Sequence, residues 1–442
     1  MGVENIIFLV ALVVAVGIFA RKVGRIRRNI LLGREEDRSD RPAERWATMA
    51  RVALGQGKMV VRPVAGIMHI LIYVGFVIIN IEVLEIIIDG LLGTHRVLAF
   101  LGAPYDAMIA VFEWLALGVV IACVVFLVRR TLVKVPRFFM REMTSWPKRD
   151  AIYILLIELV LMGAFLKMNA TDQVLQARGV DHYVQAGSFP VSSWLVPMFT
   201  PYSTGTLIVF ERIFWWLHIL GILAFLNYLP YSKHFHIILA FPNTYFSKLK
   251  PRTELRNMDR VTQEVKLMMD PAADPYAAPA ETAAPPERFG AKDVMDLSWK
   301  SLLDAYSCTE CGRCSSECPA TTTGKLLSPR KIMMDTRDRL EEVGRNMDAN
   351  KGVFKDDGKA LLGDHILEEE LWACTTCNAC TQACPVNIDP VSIIMDMRRY
   401  LVMEEGRSRP ALTAMFSNVE NNGAPWQFAQ ADRLKWTEDL DP

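Results

Sequence analysis

The chain has 442 residues, which is enough for two or three domains. Lys and Arg together number 49, as do Asp and Glu, so the formal net charge is zero. No global positive field exists to hold nucleic acid, and a nucleic-acid partner is excluded. Hydrophobic residues make up 51% of the chain and concentrate before residue 240, so the N-terminal half is predicted to lie in a lipid membrane.

Five apolar segments in the first 240 residues approach the ~20 residues that a helix needs to cross a bilayer. No basic stretch precedes the first segment, which is therefore interpreted as a spanning helix and not as a signal peptide. The five predicted spans are residues 4–20, 64–88, 107–128, 151–168 and 206–230.

The charges of the loops predict the orientation of these spans. Residues 21–63 and 129–149 hold nineteen Lys and Arg residues, whereas residues 92–106 and 169–205 hold two. Because positively charged loops remain in the cytoplasm, the N-terminus is predicted to lie outside. The fifth helix then leads the chain into the cytoplasm.

Histidines mark the interior of the predicted bundle. His69 and His218 lie inside spans, where an ionisable residue indicates a functional site. His236 follows His218 by five helical turns, so the two would share one face about 27 Å apart on a straight helix, although Pro230 interrupts it. Two histidines at different depths suit two haems, and His69 reaches the depth of His218. A His69–haem–His218 bridge is predicted.

The segment from residue 217 to 236 resembles the last helix of the cytochrome b family to which the gamma subunits of nitrate reductases belong. The residues that carry the resemblance are Leu217, His218, Gly221, the run Leu229-Pro230-Tyr231-Ser232-Lys233, and His236. That family has five helices and two b haems and handles quinol, so the resemblance implies menaquinone or ubiquinone as a substrate. It also implies His69 and His218 as ligands of a distal haem and His236 as a ligand of a proximal haem.

The other proximal ligand of that family falls at Met59 in this chain. Methionine is an established haem ligand. Three alternatives stay open: Met59 and His236 hold a second haem, His234 supplies a ligand, or the chain holds one haem b only.

Acidic residues recur at helical spacing near the outer end of the second span, at Glu82, Glu85 and Asp89. This stripe points away from the face that carries His69. We interpret it as a solvated or partner-facing edge.

Beyond the bundle, eight of the nine cysteines occur in two runs of the form Cys-x-x-Cys-x-x-Cys-x-x-x-Cys-Pro. This spacing is typical of [4Fe–4S] clusters, and zinc sites do not need such a repeated run. Residues 241–289 precede the runs and are interpreted as an exit segment with a Pro- and Ala-rich linker. Two [4Fe–4S] clusters are therefore predicted in residues 290–405.

This region resembles the α-helical ferredoxin domains of heterodisulfide reductase C-subunits and of the succinate dehydrogenase iron–sulfur subunit. In two-motif domains the fourth cysteine of each run crosses to the other cluster. Cluster one is assigned to Cys308, Cys311, Cys314 and Cys384. Cluster two is assigned to Cys374, Cys377, Cys380 and Cys318.

The tail, residues 406–442, is interpreted as a docking segment. Residues 417–426 resemble the stretch that joins the ferredoxin domain of heterodisulfide-reductase-like proteins to cysteine-rich CCG domains. No CCG cysteines follow in this chain. A separate CCG-domain subunit is therefore expected as a partner.

The predicted fold is all-α: a five-helix transmembrane cytochrome b-like bundle over residues 1–240, followed by an α-helical two-cluster ferredoxin domain. The combination resembles membrane-bound, heterodisulfide-reductase-related iron–sulfur oxidoreductases of the bacterial cytoplasmic membrane. The resemblance implies an oxidoreductase subunit that links quinone to an electron-transfer flavoprotein or dehydrogenase. Two alternatives remain: a quinol-dependent reductase of heterodisulfides or sulfur compounds, and a non-catalytic anchor of a larger respiratory assembly.

Overall fold

The computed structural model describes residues 2–271, 288–438 and 440, and the chain is 69% helical. No strand occurs in these described residues. The prediction of an all-α fold is therefore confirmed. Most of the predicted Pro- and Ala-rich linker, residues 272–287, lies outside the described residues.

Five helices of the described chain are long and apolar enough to cross a membrane, and each contains or overlaps one predicted segment. Their ends run beyond the apolar stretches because the polar flanks also adopt helical structure. The first seven helices are α1 (Val3–Ile30), α2 (Pro42–Met49), α3 (Pro63–Leu92), α4 (Ala103–Thr131), α5 (Ser145–Ala177), α6 (Val196–Phe199) and α7 (Thr204–Tyr228).

The bundle is built around α5, which packs along α7 and α4. Half of the most apolar part of α5 is buried, whereas only 6% of the corresponding part of α1 is. Helix α1 instead touches α3 and α7 near its start, where Phe8 lies against Gly90. A Cβ atom at residue 90 would lie 2.7 Å from the Phe8 ring, so only glycine permits this approach.

The remaining helices form the cysteine-bearing domain and the tail. Their bounds are α8 (His236–Tyr245), α9 (Asp259–Met269), α10 (Trp299–Ser307), α11 (Arg313–Glu317), α12 (Pro319–Thr322), α13 (Pro329–Ala349), α14 (Glu368–Trp372), α15 (Ala379–Ala383), α16 (Pro390–Arg399) and α17 (Pro410–Asn422).

This domain packs against one end of the bundle, which we call the cluster end. The cluster end comprises the last turns of α1, α4 and α7 and the first turns of α3 and α5, and the opposite end is the far end. Ile26 and Phe235 share one continuous hydrophobic core with Leu302 and Ile332 of the cysteine-bearing domain.

The end of α1 ties the bundle to this domain with polar contacts as well. Lys22 lies 3.4 Å from Glu341, and Arg28 pairs with Asp348. The amide of Asn29 also donates a 3.0 Å hydrogen bond to the Tyr306 hydroxyl.

The helix that carries His218 ends before His236. Helix α7 ends at Tyr228, two short 3₁₀ turns follow, and α8 begins at His236. Pro230 lacks the N–H that a continuous helix would need. The prediction that His218 and His236 share one face of a straight helix is therefore wrong.

Two of the three residues in the acidic stripe of α3 are buried, which contradicts its interpretation as a solvated or partner-facing edge. Glu82 and Glu85 are 2% and 3% exposed. The segment after α3 folds back over them: the Leu98 amide and the Tyr105 hydroxyl each donate a 2.9 Å hydrogen bond to Glu85. The loop after α3 therefore covers the acidic face of this helix, which the helical spacing alone had suggested was exposed.

Arg96 is the centre of a buried polar cluster at the far end. Its guanidinium donates to Asp172 at 2.8 Å, to Asn169 at 3.0 Å and to the Tyr105 hydroxyl at 3.2 Å. Arg96 is 7% exposed and Asp172 is 2% exposed. The charge of Asp172 is thus balanced in a setting that water does not reach.

Replacing Arg96 with Met should destabilise the bundle by about 3 kcal/mol or more, because Asp172 would be left buried without its cation. Arg178→Met is the matched control, since Arg178 lies in the other loop of this end and is exposed. Thermal unfolding of the detergent-solubilised chain measures both. Equal melting temperatures for the two variants would contradict the role assigned to Arg96.

Candidate cofactor sites

The two cysteine runs fold into the same backbone shape. In each run the third and fifth residues adopt left-handed φ angles: 54° and 71° at Glu310 and Gly312, and 56° and 59° at Thr376 and Asn378. A short helix follows each loop, α11 after the first and α15 after the second. The repeat in the sequence is thus also a repeat in the structure.

The short helices α11 and α15 pack against each other, which brings the two runs together. One small pocket is lined by Cys308, Cys311 and Cys314 of the first run together with Cys380 and Cys384 of the second. Cys384 therefore lies among the first three cysteines of the other run.

The cysteines assigned to cluster two also come from both runs. Cys318 is close enough to Cys374 to act electrostatically on its thiol, as Cys377 also does. All eight thiols of the two runs are free of disulfides. Among the described residues, no three Cys, His, Asp or Glu side chains converge as tightly as a single metal ion needs, whereas a cubane holds its thiolates farther apart. The arrangement therefore fits the crossed assignment of two clusters.

The chemistry of the thiols also fits iron. Burial raises the pKa of Cys384 to about 11 and that of Cys308 to about 12. Iron binding must therefore displace protons from these groups. Backbone N–H groups are already aimed at sulfur, from Ile388 to Cys384 at 3.3 Å and from Thr376 to Cys374 at 3.4 Å. Such hydrogen bonds stabilise thiolates and tune a bound cluster.

The two cysteine groups differ in their surroundings. Lys58, in the loop before α3, donates a 2.9 Å hydrogen bond to the carbonyl oxygen of Cys384, and Arg313 donates one of 2.9 Å to the carbonyl oxygen of Lys58. Cys377 of the second group is exposed. The site of cluster one therefore faces the bundle, and the site of cluster two faces the surface.

Buried ion pairs hold the first loop against the bundle. Lys233 pairs with Glu310, which also accepts a 2.8 Å hydrogen bond from Arg337. Burial alone would raise the pKa of Glu310, but these two cations lower it to about 2. Arg330, which is fully buried, donates to Glu142 at 2.6 Å. The loop of cluster one is therefore fixed relative to the membrane-spanning helices.

One histidine of the bundle interior and one of the cluster end present nitrogens that suit a metal. The Nδ1 atom of His218 lies 2.9 Å from the carbonyl oxygen of Leu161, and that of His236 lies 3.0 Å from the carbonyl oxygen of Lys233. This contact leaves Nε2 of each ring as the ligand atom. Burial lowers the pKa of His236, which keeps its ring neutral as a metal ligand must be.

His69 lies next to His236 in the structure. The ring centroids of His69 and His236 are 6.3 Å apart, and those of His234 and His236 are 5.6 Å apart. With metal–imidazole bonds of ~2 Å, two rings on opposite sides of one iron have centroids ~6 Å apart. The Nδ1 atom of His69 is buried without a hydrogen-bond partner in the described residues. These observations fit a haem ligated by His69 and His236.

Met59 lies in the loop before α3, where its carbonyl oxygen accepts a 3.4 Å hydrogen bond from Arg313. It therefore lies where the cysteine-bearing domain meets the bundle. The roles of Met59 and of His218 as haem ligands stay predictions.

Sequence reasoning missed the basic residues that link the sites and the polar cluster of the far end. In the sequence, Lys58 and Arg313 look like ordinary loop cations, because their contacts depend on how the two domains pack together. The sequence alone favours a surface position for His95, but its Nε2 atom lies 3.3 Å from Asp172. The sequence offered one signal for the polar cluster: Arg96 is the sole Lys or Arg residue in its loop.

Comparison with known proteins agrees with the cysteine sites. Residues 304–388 match the family model of the 4Fe-4S dicluster domain. No solved structure matches the chain.

The curated relatives extend the similarity to the bundle. The chain is 30% identical to the probable iron-sulfur-binding oxidoreductase FadF of Bacillus subtilis, over 98% of this chain and 61% of that protein. It is 26% identical to the EtfAB:quinone oxidoreductase of Syntrophomonas wolfei, over 92% of this chain and 55% of that protein.

A shorter match, at 33% identity over 26% of this chain and 56% of the relative, is to one subunit of the ferredoxin/F(420)H(2)-dependent CoB-CoM heterodisulfide reductase of Methanosarcina acetivorans. The chain thus spans less than two thirds of the length of each of these relatives. Its relatives are iron–sulfur oxidoreductases, and it shares with them a 4Fe-4S dicluster domain.

Proposed function

We propose that the chain is a membrane electron-transfer subunit of an oxidoreductase that links a quinone pool, through b haem and two [4Fe–4S] clusters, to a soluble redox partner. The observation that carries this proposal is the order of the sites. The His69–His236 pair lies at the cluster end of the bundle, the cluster one cysteines face the bundle, and Cys377 of cluster two is exposed. Such an order suits electron transfer between the membrane and the surface.

The residues have distinct roles in this proposal. His69 and His236 hold the haem, which supplies one-electron redox chemistry when it is bound. Cys308, Cys311, Cys314 and Cys384 hold cluster one, and the other four cysteines hold cluster two. Arg313 fixes the loop before α3 against the first cysteine run, and Lys58 fixes it against Cys384 of the second run. The buried ion pairs around Glu310 and Glu142 keep the distances between the sites constant.

We propose the following division of the chain. Residues 1–240 are the membrane domain, residues 241–289 the exit segment and linker, residues 290–405 the ferredoxin domain and residues 406–442 the docking tail. We propose a bacterial cytoplasmic membrane with the N-terminus outside and the ferredoxin domain in the cytoplasm, an orientation that the loop charges support. The name of one long match, an EtfAB:quinone oxidoreductase, favours an electron-transfer flavoprotein as the soluble partner.

A second candidate is the membrane subunit of a quinol-dependent heterodisulfide reductase. It is favoured by the match over 113 residues to one subunit of a heterodisulfide reductase. Both candidates require a partner that carries the substrate chemistry, and a separate CCG-domain subunit is proposed for this role.

Anaerobic spectroscopy of the purified chain in nanodiscs tests the proposal. Reduced menadiol should reduce a b-type chromophore and then the iron–sulfur absorption of the same sample, and electron-transfer flavoprotein should exchange electrons with both. The non-catalytic anchor is the correct interpretation if the purified chain has no b-type band and its clusters do not respond to menadiol. Exchange with a disulfide-reducing partner, but not with the flavoprotein, would establish the second candidate.

A further inference from the structure

A cavity of about 490 Å³ opens at the far end of the bundle, away from the cysteine-bearing domain. Its volume falls within the ~300–1,000 Å³ usual for small-molecule sites. It lies between the start of α1, the end of α3, the loop before α6 and the first half of α7. None of the cofactor ligands assigned above lines it.

One wall of the cavity is aromatic. Phe8, Trp215 and Trp216 line it, and their rings meet edge to face, with Phe8 centred 5.5 Å from Trp215 and 6.2 Å from Trp216. Gly90 lies behind Phe8 and leaves room for it. This wall offers flat apolar surface to a ring.

The adjoining wall is polar, and the Arg212 guanidinium lies 5.2 Å from the centre of the Trp215 ring. His182 and Arg212 line it, and His182 is exposed to solvent. Arg212 uses Nε and Nη2 for two 2.6 Å contacts to Glu211, so its Nη1 group remains as a donor. Burial lowers the pKa of His182, so its neutral ring can accept a proton. The wall thus offers a donor and a proton acceptor.

The charges around the cavity disfavour an anion. Glu4 and Asp89 line it, and Glu211 offsets the charge of Arg212. Asp89 is itself saturated by the Thr94 hydroxyl at 2.6 Å and by the Arg96 amide at 2.7 Å. A phosphate would meet more carboxylates than cations here. A neutral ring with polar substituents meets no such repulsion.

The cavity is also close to a histidine of the bundle interior. Trp215 precedes His218 by three residues, about 4.5 Å along α7. His218 is 1% exposed. A ligand against Trp215 therefore lies next to the buried core of the bundle, and not on its lipid-facing surface.

We propose that this cavity binds the headgroup of a quinone, with the ring against Trp215 and Trp216 and the oxygens on His182 and Arg212. On oxidation, the hydroquinone loses two electrons to the redox groups of the proposed function and two protons, and it becomes the quinone. His182 accepts these protons in turn and passes them to the surrounding water; the reduction runs the same steps backwards. This site rests on the proposed function and adds the place of its membrane substrate.

The test uses the full chain in nanodiscs with menadione as the probe. Quenching of tryptophan fluorescence gives the dissociation constant, and an azidonaphthoquinone maps the site by covalent labelling. His182→Gln and Arg212→Gln should each raise the dissociation constant about five-fold, as expected for the loss of one hydrogen bond. His365→Gln, in the cysteine-bearing domain, is the matched control and should bind as the unmodified chain does.

Labelling of peptides that contain Trp215 or His182, together with weaker binding by both variants, supports the site. Labelling elsewhere with unchanged binding by both variants overturns it, even if menadiol still reduces the clusters and the proposed function therefore holds. Menadione bound in the cavity without electron transfer to any cofactor would keep the site and overturn the proposed function. A phospholipid found there by native mass spectrometry, with no menadione binding, would also overturn the site.

Discussion

Replacing Cys384 with Ser is expected to remove cluster one, although Cys384 belongs to the second cysteine run. Iron should fall from about eight to about four atoms per chain, because a [4Fe–4S] cluster needs all four of its thiolates. The reason is the placement of Cys384 beside Cys308, Cys311 and Cys314. Iron analysis of anaerobically reconstituted protein measures the loss, and Cys123→Ser, a buried cysteine of α4, is the control.

Paired substitutions separate crossed from uncrossed ligation. If the runs cross, Cys311→Ser combined with Cys384→Ser still removes one cluster only, because both residues serve the same one. Cys377→Ser combined with Cys384→Ser should then remove both clusters. The reverse pattern would show that each run holds its own cluster.

The second large effect is expected at the haem. Substitution of Ala for His69 or for His236 should abolish the same b-type band, since their ring centroids lie 6.3 Å apart, which is close to the separation of two imidazoles that bind one iron. His218→Ala should leave that band in place. Pyridine haemochrome analysis gives the haem content per chain, with His365→Ala as the control.

The family resemblance makes a different forecast for the same three variants. It pairs His69 with His218, so loss of the band in His218→Ala and its retention in His236→Ala would restore that pairing. Loss of only part of the haem in each variant would indicate a second haem. Met59→Leu would then report whether methionine ligates it.

The sequence was sufficient to predict features that depend on one continuous segment of the chain. The five spans are continuous apolar runs, and the cysteine spacing alone indicates the cluster loops, whose left-handed positions at Gly312 and Asn378 recur in the structure. Helix identity and local loop shape depend on neighbours in sequence, so these predictions hold without knowledge of the packing.

The sequence was insufficient where distant segments meet. Periodicity shows that Glu82 and Glu85 share a face, but only the return of the chain at Leu98 and Tyr105 shows that this face is covered. Pro230 predicts an interruption of the helix, yet its consequence, that His236 lies beside His69, depends on how α8 docks. The roles of Lys58 and Arg313 become visible only when the contact between the domains is known.

The attachment of α1 has a consequence for how electrons reach a partner. Lys22, Arg28 and Asn29 fasten the end of this helix to the cysteine-bearing domain, while its start is fastened at Phe8. The domain is thus held in one position against the bundle. In the proposed function, a soluble partner must therefore diffuse to Cys377. Turnover should therefore follow the partner's concentration and the ionic strength that governs its encounters, whatever the length of the linker.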